Sequence, residues 1–372
     1  MKKKINVIHV IADLGNGGAE RQLIELLKLN SYHKLLILKD AGIYKEILER
    51  FKINYTELKI KKSSHIFFYF YKIKKIIEAS DTEIIHSWMY NACAIVSIIK
   101  FLTSLPHRLI WGIRCSNMNL RHYSIGMKLT ILLCKIFSNL PNEIVYNSYA
   151  GLRYHNNIGF SKKSNSVIYN GIDSTKFFYS SDCRNKLRKI LGIKKEDLVI
   201  VFAARVDPMK NHLNLIKAFD LIRSKNKKAV LLLIGKGTDE LLTTEGAIAL
   251  GMKIKIENYY SVGDMIIMPS AYGEGFSNVL AEGMLCNLFP ITTDVGDSIK
   301  IVANIGLVAK NSSVKELSKV ISKALKIKKA DLRNLQKKSR NKILKEFNIK
   351  KMSLQYNKCY KKYGLICADL QG

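Results

Sequence analysis

Short apolar runs alternate with longer stretches of helical periodicity along almost the whole chain, and this alternation limits the folds open to it. A run of four to eight apolar residues followed by an amphipathic segment is the signature of strand–helix–strand units, whose parallel sheets are covered by helices on both faces. Strands are expected over 5–11, 35–38, 84–86, 109–113, 144–147 and 167–169. A second set is expected over 198–203, 230–234, 265–268, 289–292 and 307–309. Helices are expected over 20–29, 213–222 and 314–325. Between the two sets, 173–195 is polar and charged, with no strand pattern, and is read as a linker. The α/β fold class is therefore two doubly wound domains, 1–172 and 196–348.

Three runs concentrate chemistry-bearing residues at strand-to-helix crossings, where open parallel sheets bind ligands. The first is Pro269-Ser270-Ala271-Tyr272-Gly273-Glu274-Gly275-Phe276-Ser277-Asn278-Val279-Leu280-Ala281-Glu282-Gly283. Pro269 and the glycines end a strand, and Ser277 or Asn278 opens a helix. Glu274 then stands on the loop and Glu282 two turns into the helix, about 12 Å away if every step were helical. That is too far for two carboxylates to share one bond as acid and base, and it suits a grip on two ends of an extended ligand. The backbone N–H groups of Gly275, Phe276 and Ser277 would face an anion at the helix start. The second run, Ala204-Arg205-Val206-Asp207-Pro208-Met209-Lys210-Asn211-His212, sets a guanidinium and an ammonium where they can hold a diphosphate. The third, Gly15-Asn16-Gly17-Gly18-Ala19-Glu20, lets backbone approach a phosphate or sugar closely at Gly17 and Gly18. It is not the G-x-G-x-x-G dinucleotide fingerprint, which argues against a nicotinamide enzyme.

The Glu-x7-Glu run, with the Thr293-Asp294-Val295-Gly296 turn that follows it, resembles the signature of family 4 retaining glycosyltransferases. The Asp207-Pro208-Met209-Lys210 form is similar to a subgroup that makes bacterial surface polysaccharides. The resemblance implies a GT-B fold, with two facing Rossmann-like domains, a cleft between them, and a C-terminal helix (349–372) that crosses back to the first, acceptor-side domain. It implies that Arg205, Lys210 and Glu274 carry catalysis. It further implies that Gly17, Gly18, Gly275, Phe276, Ser277, Asn278 and Glu282 bind a nucleotide-sugar donor, such as a UDP-sugar. His86, Arg114 and Asn170 fall at positions implied to face the acceptor, with Tyr169-Asn170-Gly171-Ile172-Asp173 read first as a turn near the hinge. No cofactor or metal is expected, because the cations would neutralise the leaving diphosphate and no Asp-x-Asp motif occurs. Two departures touch base recognition: the 238–264 segment is shorter than in the family, and Asn287 stands where a small residue is common. A nucleotide-sugar epimerase of the same fold and a non-catalytic binding protein remain alternatives.

The net charge of +31 calls for an acidic partner. No zinc-finger, RNA-recognition or helix-turn-helix pattern supports nucleic acid. From Ile84 to Asn142 there is no acidic residue, while Lys100, Arg108, Arg114, Arg121, Lys128 and Lys135 are present. Between Lys59 and Lys75, basic residues (Lys61, Lys62, Lys72 and Lys74 among them) flank Phe67, Phe68, Tyr69, Phe70 and Tyr71. Basic residues flanking aromatics suit a lipid headgroup region. The expected partners are thus a nucleotide-sugar, a lipid-linked glycan acceptor and an anionic membrane surface. No apolar run is long enough to span a bilayer, and the first apolar run reads as a strand rather than a signal peptide. The seven scattered cysteines fit free thiols in a reducing cytoplasm, at the inner face of the cell membrane.

Overall fold

The computed structural model describes residues 5–364 apart from 16, 62–65 and 118–122. Asn16, Lys62 and Arg121 thus lie outside the described residues. The chain divides into two compact units, residues 1–171 with 349–372, and residues 172–348.

Among the described residues, the first unit holds a seven-stranded parallel sheet. Its strands are β1 (Val7–Ile11), β2 (Lys34–Ile37), β3 (Asn54–Glu57), β4 (Ile84–Trp88), β5 (Arg108–Ile113), β6 (Glu143–Tyr146) and β7 (Asn165–Val167), in spatial order 3-2-1-4-5-6-7. Its helices are α1 (Gly18–Leu29), α2 (Lys45–Arg50), α3 (Ile66–Glu78), α4 (Met89–Thr103), α5 (Ile125–Phe137) and α6 (Tyr149–Asn157). Alternation along β1 splits the core in two. Ile8 and Val10 pack with Ile73 and Ile77 of α3, Val96 of α4 and Ile131 of α5, while Val7 and Ile11 pack with Leu23 and Leu27 of α1. β3 was not expected from sequence, because only Tyr55 in Asn54–Glu57 is apolar and the strand is an edge.

The second unit opens with α7 (Ser181–Ile190), inside the segment expected to be a linker. That expectation is corrected. Arg184 and Arg188 of α7 hold the Asp264 carboxylate at 2.7 and 2.8 Å, and the helix is part of the unit. A six-stranded parallel sheet follows among the described residues: β8 (Leu198–Ala203), β9 (Ala229–Ile234), β10 (Ala247–Ala249), β11 (Met265–Met268), β12 (Phe289–Thr293) and β13 (Leu307–Ala309), in order 10-9-8-11-12-13. Its further helices are α8 (His212–Arg223), α9 (Ile256–Tyr260), α10 (Asn278–Leu285), α11 (Ser298–Val302), α12 (Val314–Leu325) and α13 (Lys329–Glu346). α14 (Ile349–Gly364) belongs to the first unit, where Met352, Tyr356 and Tyr360 pack into the α1-side core.

In each sheet the order reverses at one place, between β1 and β4 and between β8 and β11. Parallel sheets open a crevice at the carboxyl ends of the strands on either side of such a reversal. In the second unit those two strands lead directly into Arg205–Lys210 and Ser270–Ser277.

Candidate active site

After β8 the chain turns through a short 3-10 segment, Pro208–Lys210. Asp207 caps it, accepting from Met209 N at 2.9 Å, and Pro208 supplies the fixed φ that suits a first helical position. Asn211 takes a left-handed conformation (φ 60°) that Asn tolerates, and its amide donates to Pro269 O and Ser312 O at 3.1 and 2.8 Å. This turn is thereby tied to the loop after β11. A backbone bond from Ala271 N to Met209 O at 2.8 Å closes the tie.

The tie brings Lys210 onto Glu274. Lys210 Nζ donates to Glu274 Oε1, and Ser270 Oγ donates to the same oxygen at 2.8 Å. Glu274 is 7% exposed, so its charge is held by these partners rather than by bulk water. Arg205 differs: its side chain is 62% exposed and it meets Asp207 at 3.1 Å. An exposed pair of that kind is worth little, about 0–1 kcal/mol, so the guanidinium can exchange Asp207 for an anionic ligand.

The loop carrying Glu274 is fixed from below. Thr293 Oγ1 donates to Ser270 O at 2.7 Å, and Asp297 N donates to Gly275 O at 3.0 Å. Gly296 adopts φ 66°, and a Cβ there would run into the carbonyls of Glu274 and Gly275. The Thr293–Gly296 turn therefore shapes the Glu274 loop by close backbone approach, which only glycine permits. Ser277 caps α10, its hydroxyl accepting from Leu280 N at 3.4 Å, and Phe276 packs on Phe347 with ring centroids 5.1 Å apart. Asn278 is the first residue of α10. Glu282, on the inner side of α10, is 1% exposed and accepts from Tyr260 Oη at 3.0 Å. Gly283 lets α10 sit against β11, because a Cβ there would meet Ile266 at 2.8 Å. Asn287 has φ 64°, the conformation that glycine commonly supplies after a helix, so this departure from the family is a backbone requirement met by Asn.

Arg205, Lys210, Glu274 and Gly275–Ser277 are thus gathered at the carboxyl ends of β8 and β11. Two residues of this arrangement were not singled out from sequence. Ser270 lies within the glutamate run, where nothing local marks its hydroxyl. Tyr260 lies 22 residues before Glu282, on α9, with no motif to mark it.

In the first unit Gly17 is the N-cap of α1 and Gly18 its first residue. A Cβ at Gly17 would collide with the Glu20 carboxylate, which folds back over the helix start. The three acceptor-side expectations resolve differently. His86 is a core residue, 0% exposed: its Nδ1 hydrogen-bonds Tyr360 Oη at 2.8 Å, and Gly112 leaves room for its ring. Register explains the burial, since His86 pairs with His9 on the face that α14 covers. Arg114 is also buried. It donates to Ile168 O at 3.2 Å and to Tyr356 Oη, with its guanidinium 4.8 Å from the Trp88 ring centre. Burial pulls its pKa down from the usual arginine value. Both side chains pack against α14 in the first unit. Asn170 is 3% exposed, and the next residue, Gly171, is held by Gln22, whose amide both accepts from Gly171 N (2.9 Å) and donates to Gly171 O (3.1 Å).

Residues 184–342 match the family "Glycosyl transferases group 1". A capsular polysaccharide biosynthesis glycosyltransferase, CapH of Staphylococcus aureus, is 22% identical over 80% of this chain and 83% of its own length. A Campylobacter jejuni protein named as an N-acetylgalactosaminyltransferase that acts on a diphospho-undecaprenol-linked sugar is 27% identical over 76% of this chain and 79% of its own. Among solved structures, Anabaena HepE in complex with UDP superposes with a TM-score of 0.83 at 18% identity, covering 96% of this chain and all of that one. The fold is thus of the GT-B class, built from two Rossmann-like parallel-sheet units, and it is the second of them whose residues match the glycosyltransferase group 1 model, with similarity to a glycosyltransferase named for capsular polysaccharide biosynthesis.

Proposed function

We propose that the protein transfers a sugar from a nucleoside-diphosphate donor, a UDP-sugar, to a lipid-linked glycan during bacterial surface-polysaccharide synthesis, with retention at the anomeric carbon and without a metal. The observation that carries this reading is Lys210, which the Asn211 and Ala271 ties bring onto Glu274, with the exposed Arg205 guanidinium on the same turn after β8. Negative charge builds on the diphosphate as its bond to the sugar breaks, and preorganised donors act most strongly on charge that develops in the transition state. Lys210 and Arg205 supply the positive charge that stabilises it. Glu274, fixed by Ser270, orients the sugar, and Glu282, fixed by Tyr260, holds the ribose hydroxyls.

The names of the relatives support the substrate classes: UDP is bound in the HepE structure, and the Campylobacter protein acts on a sugar carried by diphospho-undecaprenol. The protein would then work at the inner face of the membrane that holds such a carrier. Thermal-shift or ligand-detected NMR measurements with UDP-, GDP- and CMP-sugars test the donor site. A UDP-sugar should stabilise the wild type and not Glu282→Ala. Lys210→Ala should keep its fold and lose roughly 10²–10³ in turnover, and EDTA should leave wild-type turnover unchanged. A folded wild type that binds none of these donors would overturn the proposal.

A further inference from the structure

α3, α4 and α5 cover one face of the first unit's sheet, and their inner residues (Ile73, Val96, Ile131, Cys134) belong to one core. An amphipathic helix in that layer should turn polar residues outward. α5 does not. Ile125, Leu129, Leu132 and Ile136 are 83%, 55%, 50% and 60% exposed. Their spacing of i, i+4, i+7 and i+11 sets all four on one narrow face, opposite the inward Ile131 and Cys134. The apolar surface continues onto the end of α4 through Phe101 and Leu102, 63% and 66% exposed, with Phe101 packed on Phe137 of α5 at 5.7 Å between ring centres. Contiguous exposed apolar surface of this kind marks an interaction site.

Charge identifies the partner. Lys128 and Lys135 are exposed and stand along one flank of the stripe, and no acidic residue occurs anywhere from 84 to 142. A second copy of the chain would set these lysines against their own kind, and lysine is depleted in the cores of protein interfaces. An apolar row edged by lysines matches a bilayer with anionic headgroups, where the row enters the acyl boundary and the ammonium groups meet phosphate. With 13 residues α5 is about 20 Å long, suited to lying in the interface plane. Among the described residues no helix is long and apolar enough to cross a membrane.

We infer that the outer face of α5, continued by Phe101 and Leu102, is the surface by which this protein docks on an anionic lipid bilayer. The inference deepens the proposed function by naming the face that meets the membrane, and its test does not depend on catalysis. Full-length protein is floated with vesicles of phosphatidylcholine alone or mixed with phosphatidylglycerol, at low and high salt. Wild type should float only with the anionic vesicles and less at high salt. Leu129→Ser with Leu132→Ser, whose side chains face solvent and whose thermal midpoint should match wild type, should bind about tenfold more weakly or worse. Lys128→Gln with Lys135→Gln should bind more weakly and lose most of the salt dependence. Phe68→Ser with Tyr71→Ser, on α3, should retain most binding. The inference is overturned if wild type fails to float, or if the leucine variant floats as wild type does. It is equally overturned if the α3 variant alone loses binding, or if sedimentation shows a dimer that the leucine variant dissociates. UDP-sugar binding on the same samples separates the two readings: donor binding without flotation removes the docking face alone, and flotation without donor binding removes the proposed function alone.

Discussion

The Tyr260 hydroxyl donates to Glu282 Oε2 inside a site where Glu282 is almost wholly buried. A hydrogen bond to a buried charge contributes about 1.5–3 kcal/mol. Tyr260→Phe removes that bond and keeps the ring. If Glu282 holds the donor ribose, the Kd for the UDP-sugar should rise roughly tenfold to a hundredfold by calorimetry, since 1.4 kcal/mol is a factor of ten. An unchanged Kd in a folded variant would detach Tyr260 from ligand binding. At this scale the sequence shows which groups are chemically suited: two glutamates, an arginine and a lysine at strand-to-helix crossings are legible because spacing and local punctuation mark them. It cannot show which hydroxyl fixes which carboxylate. Tyr260 and Glu282 meet only in the folded second unit, where Tyr260 ends α9 and Glu282 lies on α10.

Asp264 shows how an element is held in place. It ends the turn before β11, and its carboxylate takes Arg184 Nη2 at 2.7 Å, Arg188 Nη2 at 2.8 Å and Val199 N at 2.8 Å. Arg188 also donates to the carbonyls of Val262, Lys194 and Asp197. α7 carries much charge and little apolar surface, so it is anchored chiefly by this polar clamp. Removing one member of a mostly buried ion pair strands its partner, at a cost of about 3–5 kcal/mol. Asp264→Ala should therefore lower the thermal midpoint markedly and raise proteolysis between residues 173 and 195. Cleavage there at the wild-type rate would show that α7 does not need the clamp. Helical periodicity does not reveal α7, because its polar face dominates and its charge resembles that of a linker.

Stability against pH is a property of the whole chain, because among the described residues five buried histidines are spread over both units. His9, His33, His86, His155 and His212 all have pKa values lowered chiefly by burial, those of His33 and His155 to about 4. In the unfolded chain each would titrate near 6.5. Above that pH both states are neutral at these sites and the stabilisation is fully present. As pH falls below it, the unfolded chain takes up protons that the folded one refuses, and stability is lost down towards the folded pKa. Between pH 7 and 5, His33 and His155 each cost on the order of 1–2 kcal/mol. Calorimetry should show the midpoint falling steeply from pH 7 to 5. A flat profile over that range would mean the rings stay accessible to protons in the folded state.

His86 and the E-x7-E run show where sequence reading ends. The paired parallel sheets, the strand ends that carry Arg205, Lys210 and Glu274, and the glycine at 296 follow from local periodicity, turn chemistry and spacing, which act over a few residues. The burial of His86 and Arg114 under α14 does not. It requires residues more than 200 positions away to return and cover one face of the first sheet. The same holds for the outward apolar row of α5, whose periodicity alone would assign it to a core. A repeating apolar stripe states that a face exists. Which stripe is covered, and by what, is decided only when the rest of the chain has packed and some faces are left without a partner.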